Sequence, residues 1–233
     1  MNTVTKIDNP WKRIGSQPPF VLEEDIAAIE AFNSRYGHNA DKRINLCHTP
    51  VPRNGPVKAP VVFLLNNPSY PENTLHGYKD EQIISRELES IRDENYPHLE
   101  LTPEGYWYPR FKELMKEAGL SPERLSCNIC SIEIFPYRSR KFRHGSIKLQ
   151  SQNYTFALVR ERLANEALII VMRGYSLWVK QIPELAAKMN HTVFRAKNPL
   201  CNYASRRNLP SGVFEKICLR LRAAQQRHAP DRE

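Results

Sequence analysis

Apolar residues recur along this chain with two different periods. Residues 61–65 (Val-Val-Phe-Leu-Leu) and 167–172 are apolar at every position, the mark of strands buried on both faces. Residues 125–135 and 191–196 complete a set of four predicted strands. Between them the spacing lengthens to that of helices. Helices are predicted over about 22–36, where Ile26, Ile29 and Phe32 recur, and over 80–92, which is polar and acidic. A further one over 104–118 places Tyr108, Phe111, Leu114, Met115 and Ala118 on one side, with Gly119 as its stop. Helices over 150–164, 175–189 and 211–225 follow, the last with Ser211 as N-cap and Val213, Ile217, Leu219 and Leu221 facing the core. Strands alternating with helices predict an α/β fold, with three α/β/α layers around a mainly parallel four-stranded sheet. The first sixty residues are rich in Pro and broken by Gly, so 1–47 is expected to be a lead-in with one helix and 48–233 the main domain.

Composition narrows the class. The 233 residues, 41% hydrophobic and 25% charged, suffice for one packed core and argue against disorder. No apolar run has the roughly 20 residues of a membrane span, and no leader pattern opens the chain, so a monomer in the cytoplasm, away from membranes, is expected. Five cysteines without a regular framework read as thiols. Cys127 and Cys130 lie in a predicted strand, where residues three apart point to opposite faces, so neither a metal nor any other cofactor is expected.

The net charge of +9 favours a polyanionic partner. It is uneven: six basic residues face one acidic over 131–160 and nine face three over 191–233, whereas 71–130 holds seven against twelve. In open α/β sheets ligands bind beyond the carboxyl ends of the strands. That rule gathers residues 66–70, 136–143, 173–176 and 197–207, of which two are Asn-Pro elbows and two are basic clusters. Carboxylates are scarce there, which disfavours a two-metal nuclease or a glycosidase dyad. Neither a P-loop nor a Rossmann glycine fingerprint occurs. Amides that bond base edges, tyrosines that stack and cations that hold phosphates describe a pocket for an extruded nucleotide.

In this order the segments resemble the uracil-DNA glycosylase superfamily, nearest its mismatch-specific branch. Leu64-Leu65-Asn66-Asn67-Pro68-Ser69 is similar to the branch's strand and G-x-N-P motif, with Leu65 where Gly is usual and Ser69 in place of a second Gly. The helix ending in Ala118-Gly119-Leu120 looks like its second landmark, and Asn198-Pro199-Leu200 is similar to its final N-P-S, with Leu200 for Ser. The resemblance spans roughly 48–226. It implies a monofunctional glycosylase that flips a base from duplex DNA, or takes it from a single strand, and leaves an abasic site. Asn67 matches the water-positioning residue, with Asn66 beside it, and Asn198 matches the residue near the leaving group. Asn128 falls on the strand that carries a base-reading amide, and Tyr70 is a stacking platform. Leu200 or Tyr203 would wedge the duplex, with Arg138, Arg140, Lys141, Lys197, Arg206 and Arg207 on phosphates. The altered pocket positions imply a modified pyrimidine, either uracil or a modified cytosine such as those of viral DNA, in repair or antiviral defence. The alternative is a nucleic-acid-binding protein that kept the fold without the chemistry.

Overall fold

The computed structural model describes residues 8–227; the ends of both expected domains, 1–7 and 228–233, lie outside the described residues. Five strands form one sheet: β1 (Arg53–Asn54), β2 (Val61–Leu65), β3 (Ile129–Glu133), β4 (Leu168–Val171) and β5 (Val193–Arg195), in the order β1-β3-β2-β4-β5. β2, β4 and β5 run parallel, with Val61 opposite Leu168 and Ile169 opposite Val193. Every residue of β2 and β4 is buried, as their unbroken apolar runs require. The sheet therefore has five strands rather than four. β1 escaped the sequence pattern because two residues between Pro52 and Gly55 show no periodicity. Gly55, at φ 111°, lets the chain pass so close to β3 that a Cβ would sit 2.2 Å from Ile129 O.

Among the described residues the α-helices are α1 (Ile26–Ser34), α2 (Glu81–Arg92), α3 (Tyr108–Ala118), α4 (Pro122–Ser126), α5 (Gln152–Ala164), α6 (Tyr175–Gln181), α7 (Glu184–Ala187) and α8 (Val213–Arg227). Three differ from expectation for identifiable reasons. α3 starts at Tyr108 rather than 104, because Pro109 is tolerated only in a first turn. The predicted strand 125–135 opens as helix α4, since Ser121 Oγ accepts from Arg124 N at 3.3 Å and Pro122 occupies the first helical position. The predicted helix 175–189 divides into α6 and α7 at Pro183, which has no N–H to continue the ladder. On α8, Val213, Ile217 and Leu221 are buried, but Leu219 is 62% exposed. Two residues along a helix turn by about 200°, so Leu219 cannot share the face of Ile217.

Contacts gather the described chain into two units, each discontinuous in sequence. The first holds the residues up to Arg53 together with Asn66–Asp93 and Glu133–Glu161; the second holds Asn54–Leu65, Glu94–Ile132 and the residues from Arg162 onward. In the first unit the expected lead-in is core material. Trp11 and Phe20 are fully buried, and Tyr137 meets Trp11 edge-on at 5.7 Å. Tyr137 Oη donates to Asp25 Oδ2 at 2.8 Å and accepts from Leu22 N at 3.2 Å, while Asp25 Oδ1 accepts from Ser151 N at 3.2 Å. Burial, reinforced by the Asp25 carboxylate, pushes the Tyr137 phenol far above its ordinary value. In the second unit Phe63 and Ile170 of the sheet share a core with Phe111 and Leu114 of α3 and Phe214 and Ile217 of α8.

Candidate functional site

β3 and β4 lie on opposite sides of β2, so the direction of winding reverses at the β2–β4 pair. Ligands of open α/β sheets sit outside the carboxyl ends at such a switch. There the backbone is tied: Met172 N and Arg173 N donate to Leu64 O at 2.9 and 3.2 Å, and Trp178 Nε1 donates to Leu65 O at 3.0 Å. The next residues of the chain after β2 are Asn66 and Asn67, at the start of a first-unit segment.

Asn67 is half-buried and its amide is clamped. Nδ2 donates to Pro68 O at 2.9 Å, Ser139 O at 3.2 Å and Ser139 Oγ at 3.0 Å. Two of these acceptors are carbonyls, which cannot donate, so the nitrogen must face them and the orientation of the amide is fixed chemically. Oδ1 consequently points away from these partners, and no described residue donates to it. Ser139 was not singled out from sequence, because the pair is separated by 72 positions. Asn66 O accepts from Phe135 N at 2.9 Å, and Asn66 Oδ1 is buried without a hydrogen-bond partner.

Tyr70, expected as a stacking platform, is 5% exposed, so its ring is not open to a base. One partner of its ring is His48, stacked at 4.8 Å, and its hydroxyl is buried without a hydrogen-bond partner. His48 Nε2 lies 2.6 Å from Thr74 O. A carbonyl only accepts, so Nε2 carries the proton and Nδ1, also buried and unpartnered, presents a lone pair. Burial holds this imidazole neutral, its pKa lowered to about 4. A lone histidine without motif spacing offered no signal in the sequence.

In the basic cluster of the first unit Arg138 is withdrawn from solvent, which corrects its expected place on a phosphate. Arg138 is 7% exposed; its guanidinium donates to Thr49 O at 3.0 Å, Ser69 O at 2.8 Å and Glu87 Oε1 at 2.9 Å, and Thr49 Oγ1 donates to the same carboxylate. Arg140 and Lys141 meet Asp41 at 2.7 and 3.1 Å, and the bond from Lys141 is the chief reason the Asp41 carboxyl titrates below its usual range. Arg138 is thus neutralised within the protein, whereas Arg140 and Lys141 share one carboxylate and Lys141 stays 59% exposed.

In the second unit Asn128 is also misplaced. It precedes β3, and its Nδ2 donates to Arg124 O at 2.8 Å, closing the end of α4. That is the amino end of the strand, roughly 15 Å from the end where ligands gather. Asn198 is exposed, and its Oδ1 accepts from Leu200 N at 2.9 Å, a turn that leaves this oxygen committed. Arg173 Nη2 donates to Leu200 O at 3.0 Å. Both backbone polar groups of Leu200 are thus held while its side chain is 85% exposed. Tyr203 is 43% exposed. Arg206 is held by Glu117 at 2.7 Å, Glu215 at 3.0 Å and Glu113 at 3.7 Å, so it braces the loop and is not free for phosphate. Lys197 and Arg207 are exposed, and no described carboxylate pairs with either. Among the described residues no group of three or more His, Cys, Asp or Glu could hold a metal ion, and no helix is long and apolar enough to cross a membrane.

Comparison of the chain with protein-family models, curated proteins and solved structures finds no match.

Proposed function

We propose that this chain is a DNA glycosylase related to the uracil-DNA glycosylase superfamily, which flips a modified pyrimidine, hydrolyses its N-glycosidic bond and leaves an abasic site. The observation that carries this reading is the clamped amide of Asn67. With Nδ2 facing three acceptors, Oδ1 is a fixed acceptor for one water hydrogen. An amide is too weakly basic to take a proton, so its role is to orient. The C1′–N bond breaks with its electron pair leaving on the base, the sugar gains oxocarbenium character, and the water oxygen bonds C1′. The water proton then passes to solvent. The unpartnered Asn66 Oδ1, His48 Nδ1 and Tyr70 Oη are buried polar groups of the kind that read a base edge. Leu200, with an anchored backbone and a solvent-exposed side chain, has the form of a wedge.

The test uses duplexes containing uracil, mismatched thymine or hypermodified cytosine, scored for alkali-labile abasic sites. Asn67→Ala is expected to lower base release by about a hundredfold or more while DNA affinity stays within a few fold. Undiminished release by Asn67→Ala means the water is held elsewhere; no release from any duplex by the unaltered protein removes the enzyme reading.

The second reading, a nucleic-acid-binding protein without the chemistry, is favoured by Asn198, whose Oδ1 belongs to a turn rather than to a site. Retained DNA binding with no abasic product is the result it predicts.

A further inference from the structure

The second unit carries an aromatic and cationic ladder between the start of α3 and loop 197–207. The Arg110 guanidinium carbon lies 3.4 Å from the centroid of the Tyr106 ring and 5.6 Å from that of Tyr203. Each rung is fixed. Arg110 Nη1 donates to Tyr106 O, and Tyr106 Oη accepts from Asn202 Nδ2 at 3.3 Å. Ala204 N, beside Tyr203, donates to Arg110 O at 3.0 Å. Tyr106 and Tyr203 are nonetheless 48% and 43% exposed. A large aromatic ring left in water but held by its neighbours has lost little freedom still to be lost on binding.

We propose that Tyr203, backed by Arg110 and Tyr106, is a stacking platform for an unpaired nucleobase of a DNA strand. Charge complementarity names the partner. No described carboxylate pairs with Arg110, and the loop that carries Tyr203 also carries Lys197 and Arg207, exposed and equally unpaired. Exposed aromatic faces among unneutralised cations are the composition of surfaces that bind single strands, where every base offers a π-face and every linkage a charge. A protein partner of ordinary size would need a contiguous apolar centre, whereas here a guanidinium stands between the two exposed tyrosines. The platform extends the DNA-contacting role of loop 197–207, but it uses no residue of the first unit and does not depend on base release.

The experiment is fluorescence anisotropy with a labelled, unmodified oligothymidylate. Tyr203→Ala is expected to weaken binding about tenfold, the loss of one base–aromatic stack, with the dependence on salt unchanged because no phosphate contact is lost. Tyr203→Trp should bind as tightly as the unaltered protein or more tightly. Binding by Tyr203→Ala within twofold of the unaltered protein, or equal weakening by Ala and Trp, overturns the platform. Release of base from the modified duplexes, scored on the same Tyr203 variants, tests the glycosylase reading separately. A protein that binds through Tyr203 yet releases no base keeps the platform and loses the hydrolysis. One that releases base with no dependence on Tyr203 does the reverse.

Discussion

His144 is fully buried between Phe32, Phe135 and Phe142, with ring centroids 5.7, 4.9 and 4.8 Å away, and neither of its nitrogens has a hydrogen-bond partner. The rings meet it edge to face, at 76° to 89°. Burial lowers its pKa from 6.5 to about 4. Between those values the unfolded chain binds the proton and the folded one does not, so stability is complete above pH 6.5 and declines as the pH falls towards 4. Thermal melts from pH 7.5 to 4 should show this decline, and His144→Phe should make it shallower; an unchanged slope would mean that His144 is not a source of it. The same residue scale sets the limit of reading by charge. Arg138 counts as a loop cation in the sequence, yet its partner Glu87 stands 51 positions away, and only folding brings them together. Asn67 was legible because an Asn-Pro elbow after an apolar run is a local pattern. The serine that clamps it was not.

Elements were legible where burial leaves one pattern. β2 falls at the residues its apolar run marks, β4 lies within its run, and α2 begins one residue after Asp80, whose side chain accepts from Gln82 N at 2.8 Å. Where a short helix leads straight into a strand, as α4 does into β3, one apolar run covers both and periodicity cannot divide them. α8 shows the converse error, in which apolarity was taken for burial. Ile217→Ala should cost about 2–5 kcal/mol by leaving a cavity, whereas Leu219→Ala should stay within about 0.5 kcal/mol. Urea titration of both variants separates a core face from a solvent face; equal losses would place Leu219 in the core.

For the whole molecule, the sequence's α/β class and mainly parallel sheet agree with the structure, while the strand count and the organisation into units do not follow from any local signal. The charge surplus of +9 is likewise a total that folding redistributes. Arg138 and Arg206 are each held by carboxylates and Arg140 and Lys141 share Asp41, whereas Lys197 and Arg207 meet no carboxylate among the described residues. Salt titrations of binding to duplex DNA should therefore lose roughly one unit of slope for each of Lys197→Ala and Arg207→Ala, and little for Arg206→Ala. A large loss with Arg206→Ala would return that residue to the DNA face. The interleaving of the units bears on synthesis as well. Asp25 waits for Ser151, and Trp11 for Tyr137, each more than a hundred positions downstream. A ribosome making this protein at about 5–20 residues per second holds the N-terminal third for several seconds before its partners emerge. During that interval Trp11 and Phe20 are exposed apolar surface that a chaperone can grip, and the first unit can close only when about two thirds of the chain exists.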